Sequence, residues 1–180
     1  MTTLHQSYVH GASAAPLLGD TIGDHFEAAA ARWAGRDALI VRHQDIRWTW
    51  AELKARIDDF AAGLIALGLT PGERIGIWSP NCAEWTVAQF ATARAGLILV
   101  NINPAYRLAE LEYALDKVAC AALITAAAFK SSDYIGMLRE LAPEIDGAAP
   151  GALRAAKLPH LRCVIQIGGG QVAGMFAFEE

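Results

Sequence analysis

The chain has 180 residues, 54% of them hydrophobic and only 19% charged, with a formal net charge of −4. That length carries a real core and that composition excludes disorder. The 15 Lys and Arg stand singly, without a basic stripe, which excludes nucleic acid as the main partner. No apolar run reaches the roughly 18 residues that a membrane span needs, so no transmembrane segment is expected. The opening MTTLHQSYVHGASAAPLLGD lacks a basic region followed by an apolar one, so it does not read as a signal peptide. Residues 1–19 are expected to form an arm of low structural content.

Apolar residues at helical spacing, Ile22, Phe26, Ala29, Ala30 and Trp33, predict a first helix with Thr21 as its cap. Residues 38–42 and 46–49 then predict a hairpin turning at His43 to Asp45. Thr49 and Glu52 have the spacing of a capping box for a helix over 50–67. Leu53, Ile57, Phe60, Leu64 and Leu67 make its apolar stripe, and Gly68 ends it. A strand over 74–79 follows. Asn81 is the expected cap of the next helix, which runs to about Arg94 and stops at Gly96.

LILVNI (97–102) predicts a buried parallel strand, and Leu108, Leu111, Leu115 and Val118 seat a helix over 107–118. A strand over 121–125 and a short helix near 132–141 come next. PEIDGAAPGALRAAKLP reads as a loop, and RCVIQI (162–167) as the last strand. From residue 73 onward strands and helices alternate, which predicts an α/β fold: a doubly wound, mostly parallel sheet with flanking helices.

Little of this carries chemistry on its face. RCVIQI runs into GGGQVA, which matches the dinucleotide pattern GxGxxA at Gly168, Gly170 and Ala173. That pattern requires a helix opening in the glycines, and a surface loop is the competing reading. The five His have no partner at metal-ligand spacing, and no CxxC pair exists, so no metal site is assigned. Cys120 and Cys163 stand in apolar settings and read as buried thiols of a cytoplasmic protein. Ser79 lacks the glycines of a nucleophile elbow. Asp58 and Asp59 read as a solvated helix face, and Trp48 and Trp50 as packing of the hairpin rather than ligand stacking. Asn101, Asn103, Tyr106 and Arg107 lie at the carboxyl end of the 97–102 strand, the edge where open α/β sheets bind ligands. They are the candidates for a substrate cleft, against a competing role in fixing their loop by hydrogen bonds. No catalytic or cofactor-binding residue is assigned.

The stretch from Trp48 to Leu115, with WTWAEL, GLIALG and ARAGLILVNINPAYR in that order, resembles the amino-terminal part of the AMP-forming acyl-CoA synthetases. These belong to the adenylate-forming (AMP-binding) superfamily. NINPAYR is most similar to the fatty-acyl branch. The resemblance implies a ligase that joins a fatty acid, ATP and CoA into acyl-CoA, AMP and pyrophosphate, with Mg²⁺. It also implies a Ser/Thr/Gly-rich phosphate loop ending in Pro-Lys-Gly and a Lys in a small carboxy-terminal domain. The chain has no Ser-Gly or Thr-Gly pair, and Lys54, Lys117, Lys130 and Lys157 stand in other contexts. Residues 20–180 are therefore expected to be an amino-terminal subdomain, truncated before the phosphate loop. Such a fragment is expected to be inactive alone, to bind ATP, Mg²⁺ and CoA poorly, and to self-associate through exposed apolar surface. The alternatives are an adenylation enzyme for another carboxylic acid, a NAD-binding module, or a non-catalytic interaction module.

Overall fold

The computed structural model describes residues 11, 14, 15 and 17–179. Most of the arm expected over 1–19 lies outside the described residues. Helix α1 (Ile22–Arg32) opens with the Thr21 hydroxyl accepting from the Asp24 amide at 3.1 Å. Strands β1 (Asp37–Val41) and β2 (Ile46–Thr49) pair antiparallel around a 3₁₀ turn, and Asp45 closes it in the left-handed region, φ 54°.

Helix α2 (Trp50–Ala66) carries the full capping box: the Thr49 hydroxyl accepts from the Glu52 amide, and the Glu52 carboxylate accepts from the Thr49 amide. It ends in a Schellman motif, with Gly68 at φ 77° donating to Ile65 and Leu69 donating to Leu64. The same motif ends α3 (Ala83–Arg94), where Gly96 at φ 72° donates to Ala93 and Leu97 to Thr92. Between these helices runs β3 (Arg74–Trp78).

The expected Asn81 cap of α3 is not what the chain uses. Cys82 holds the cap position without a side-chain bond. Instead the Gln44 side chain, from the distant hairpin, accepts from the Ala83 amide at 2.7 Å and donates to the Glu84 carboxylate at 2.8 Å. A remote cap of this kind leaves no mark in the local sequence.

The remaining elements are β4 (Ile98–Asn101), α4 (Leu108–Lys117), β5 (Cys120–Ala126), a short antiparallel hairpin of β6 (Ala128–Phe129) and β7 (Ser132–Asp133), α5 (Tyr134–Leu141), β8 (Cys163–Ile167) and β9 (Phe176–Ala177). Five strands form one parallel sheet in the order β4-β3-β5-β8-β9. The chain steps from β3 outward to β4, then back past β3 to β5. This is the 2-1-3-4-5 order of a flavodoxin-like doubly wound sheet. Ile75, Ile77, Ala122, Ile124 and Ile165 point to one face, where α1, α2 and α3 bury them. Trp78, Leu123 and Val164 point to the other, covered by α4, α5 and the segment carrying Leu153, Leu158 and Leu161.

Four further expectations are corrected. LILVNI is an edge strand, not a buried one: Ile98 is 51% exposed, and only the flanking Leu97 and Ile102 are buried. The segment after α5 is no free loop, because a 3₁₀ turn (Pro143–Gly147) and the buried side chains of Ile145, Leu153, Ala155, Leu158 and Leu161 anchor it. Residues after Ile167 return to the sheet as β9. The return uses Gly174 at φ 74°, where a Cβ would collide with the carbonyl of Ile145. Asp58 is not simply solvated: with Glu27 it holds Lys54 and Arg94 in an ion-pair network joining α1, α2 and α3.

Arg162, just before β8, grips Glu73, just before β3, through both guanidinium nitrogens at 2.7 and 2.8 Å. That pairing pulls the Glu73 carboxyl from its usual 4.5 down to about 2. A depressed folded-state value means stability that is present above pH 4.5 and lost as pH falls toward 2. Glu73→Gln is therefore expected to flatten the dependence of urea midpoint on pH across that window. Gln44→Ala should lower unfolding free energy by about 1–2 kcal/mol, the scale of a lost helix cap, with no change in urea m-value.

Candidate functional site

In a doubly wound sheet the ligand crevice opens at the carboxyl edge, where neighbouring strands send their connections to opposite faces. Here β3 leads to α3 on one face and β5 leads toward α5 on the other, so the crevice lies between β3 and β5. The residues at its mouth are Ser79 after β3 and Thr125 near the end of β5, both buried. The Ser79 hydroxyl donates to the Pro80 carbonyl at 2.8 Å and lies 3.6 Å from the Cys82 sulfur. Burial pushes the Cys82 thiol up, so it is no ready nucleophile. Thr125 donates to the Ala126 carbonyl at 2.9 Å.

The four residues chosen from the sequence stand one strand away, on the connection after β4. Asn101 is exposed at the strand end, and its backbone pairs with Ile77. The Asn103 side-chain oxygen accepts from the Ala105 amide at 2.9 Å, an Asx turn, and the Asn103 carbonyl accepts from the Tyr106 amide. Tyr106 packs half-buried against the α4–α5 core. Arg107 donates to the Ser132 hydroxyl on β7 at 2.8 Å, and its amide donates to Glu110 at 3.0 Å. Backbone and turn bonds thus gather these residues along one loop.

What fixes that loop is a pair of side chains the sequence reading did not single out. Trp78 and Tyr134 stack with ring centroids 3.6 Å apart and planes 10° from parallel. The Trp78 indole donates to the Asn103 carbonyl at 3.2 Å, and the Tyr134 hydroxyl donates to the Pro104 carbonyl at 2.5 Å. Burial raises the Tyr134 phenol to about 12, so it stays a donor at every physiological pH. The Asn-Pro turn therefore hangs from two aromatic donors rooted in β3 and α5. Pattern alone signals only that Trp78 ends an apolar strand and Tyr134 begins a helix.

Elsewhere the geometry is less suggestive of chemistry. No helix begins at Gly168 or Gly170; the glycines bend and lead to β9. Gln166 is buried beneath them, its amide nitrogen donating to the Ile167 and Gly168 carbonyls. Trp48 lies under the Arg56 guanidinium at 4.2 Å, and Trp50 packs on Phe26 and Trp33. Cys82, Cys120 and Cys163 are all free thiols, and burial holds Cys120 and Cys163 up at about 11. Among the described residues no three His, Cys, Asp or Glu side chains converge as a metal site.

Comparison with known proteins agrees with this architecture. Residues 26–172 match the family described as AMP-binding enzyme. The human mitochondrial medium-chain acyl-CoA ligase ACSF2 is 45% identical over 161 residues, covering 89% of this chain and 26% of that protein. Its zebrafish (Danio rerio) counterpart is 44% identical over 178 residues, covering 99% of this chain and 29% of its own. Acetoacetyl-CoA synthetase from Streptomyces lividans superposes with a TM-score of 0.73 at 28% identity, covering 88% of this chain and 24% of that one. The chain thus spans about a quarter of the length of the curated relatives it matches.

Tyr134→Phe keeps the stack and removes only the hydroxyl donor. It is expected to cost about 1 kcal/mol in urea unfolding and to speed hydrogen exchange at the Tyr106 amide, whose acceptor lies in the released turn.

Proposed function

Because the chain belongs to the AMP-binding enzyme family, we propose that it is the amino-terminal scaffold of an ATP-dependent fatty-acyl-CoA synthetase. The observation that carries this reading is the 45% identity to a medium-chain acyl-CoA ligase over 89% of the chain. The reaction so assigned has two steps. The fatty acid carboxylate attacks the α-phosphate of ATP and expels pyrophosphate. The CoA thiol then attacks the acyl carbonyl and expels AMP.

In that scheme residues 20–179 contribute position rather than proton transfer. The carboxyl edge of the sheet presents Asn101, Asn103, Tyr106 and Arg107 along one wall of the substrate cleft. The Trp78–Tyr134 pair holds that wall in place. Arg107, exposed and tied to Ser132, offers the wall's cation. Charge developing on a transferred phosphate needs preorganised donors and a cation facing it. Arg107 is the cation on this wall, and the Ser/Thr/Gly-rich phosphate loop ending in Pro-Lys-Gly that the family resemblance implies does not occur in this sequence. The 180-residue chain is accordingly expected to be inactive alone, with ATP, Mg²⁺ and CoA engaged by the intact enzyme. No described helix is long and apolar enough to cross a membrane. Three free thiols suit a reducing compartment, and the cytoplasm is our assignment.

Pyrophosphate release with ATP, Mg²⁺, CoA and a series of acids tests the reading. The 180-residue chain should give none above background. The longer natural protein should turn over medium- and long-chain fatty acids in preference to aryl or amino acids. Release by the short chain, or a longer protein selective for amino acids, would sink it.

A further inference from the structure

An apolar groove of about 370 Å³ opens where α1 meets the start of α2 and the body of α3. Ile22 and Phe26 of α1 line it, with Trp33 just beyond that helix, Trp50 of α2 and Phe90 of α3. The rings brace one another: Phe26 lies 4.6 Å from Phe90 and 5.5 Å from Trp50, and Trp33 lies 6.0 Å from Trp50. The aromatic wall is thus built before anything enters the groove. Ile22 on its rim is 60% exposed. Apolar surface left wet in this way forgoes the gain of burial.

The position of the preceding chain says what would cover it. Asp20 and Thr21 also line the groove, so the amino-terminal arm arrives at its rim. Leu17 and Leu18 on that approach are 98% and 73% exposed, so they do not fill it. Residues 1–10 lie outside the described residues, and they carry Leu4, Tyr8 and Val9. Residues 1–16 contain no Asp or Glu, so no carboxylate there is repelled by Asp20 at the rim. From Gly11 to Asp20 is nine residues, which reach at most about 32 Å. A tether that short holds its end near the groove at millimolar effective concentration, so a modest affinity is enough. The likeness to the zebrafish relative covers 99% of the chain and so reaches into this arm. We infer that residues 4–9 fold back into the groove, laying their apolar side chains on the aromatic wall and clamping α1 to α2 and α3. The inference rests on the groove and the arm, and is independent of the enzymatic reading above.

NMR of the five Trp indole N–H groups in the 180-residue chain, assigned by single Trp→Phe changes, tests this. Leu4→Asp combined with Tyr8→Asp should shift the Trp33 and Trp50 signals. The Trp78 signal, whose indole donates to the Asn103 carbonyl, should stay in place and report that the fold is intact. A synthetic peptide of residues 1–11 added to that double variant should return both signals toward their original positions, and a scrambled peptide should not. Ile22→Asp should shift the same two signals from the groove's side. It is a safe substitution, because Ile22 is exposed and an acidic residue suits the first turn of a helix. Trp33 and Trp50 signals that stay put in both variants overturn the inference, as does equal rescue by the scrambled peptide. A dimer in sedimentation that the double variant dissolves overturns it too, since the arm then docks on a second copy.

Discussion

Strand β3 has water on neither face, and the rest of the chain is arranged to keep it so. Ile75, Ile77 and Trp78 are fully buried. Gly76 sits between them because nothing larger fits. A Cβ there would come within 2.9 Å of both Ile102 and Leu123 and 3.3 Å of the Cys120 sulfur. The Gly76 amide instead donates to that sulfur at 3.0 Å. Close packing at this one position lets β4 and β5 flank β3 while α4 and α5 settle against the same face. On the other face α2 and α3 lie side by side, and the network of Glu27, Lys54, Asp58 and Arg94 ties them to α1. Partly exposed pairs of this sort add little individually, so burial, not charge, is the main source of stability.

Local chemistry was legible wherever a single stretch of chain settles the matter. The Thr49–Glu52 box, the left-handed glycines after α2 and α3, and the strand–helix alternation from residue 73 all stand in the structure as the sequence implies. The misses share a cause: each depends on residues far apart in sequence. The cap of α3 comes from Gln44, 39 residues upstream of Ala83. LILV is apolar enough for a central strand, yet β4 lies at an edge because strand order follows from crossovers, which periodicity does not record. β9 is two residues long, too short for any pattern to show.

The same division runs through the site. Sequence position put Asn101, Asn103, Tyr106 and Arg107 at the carboxyl edge of the sheet, and there they stand on one loop. Their support was hidden, because Trp78 and Tyr134 are separated by 55 residues of intervening chain and meet only when β3 and α5 are in place. The sheet also moves attention one strand inward, to Ser79 and Thr125 at the crevice between β3 and β5. A helical or apolar pattern cannot find such a crevice; it is a property of winding order.

The grip of Arg162 on Glu73 spans 89 residues, and it bears on how the chain is made. A ribosome adds residues at roughly 5–20 per second, so Glu73 waits roughly 4–18 s for its partner to emerge. By the time Arg162 is made, β3 and both its sheet neighbours, β4 and β5, have already been synthesised. The latch between the entrances to β3 and β8 therefore closes late, on a sheet whose centre is already in place.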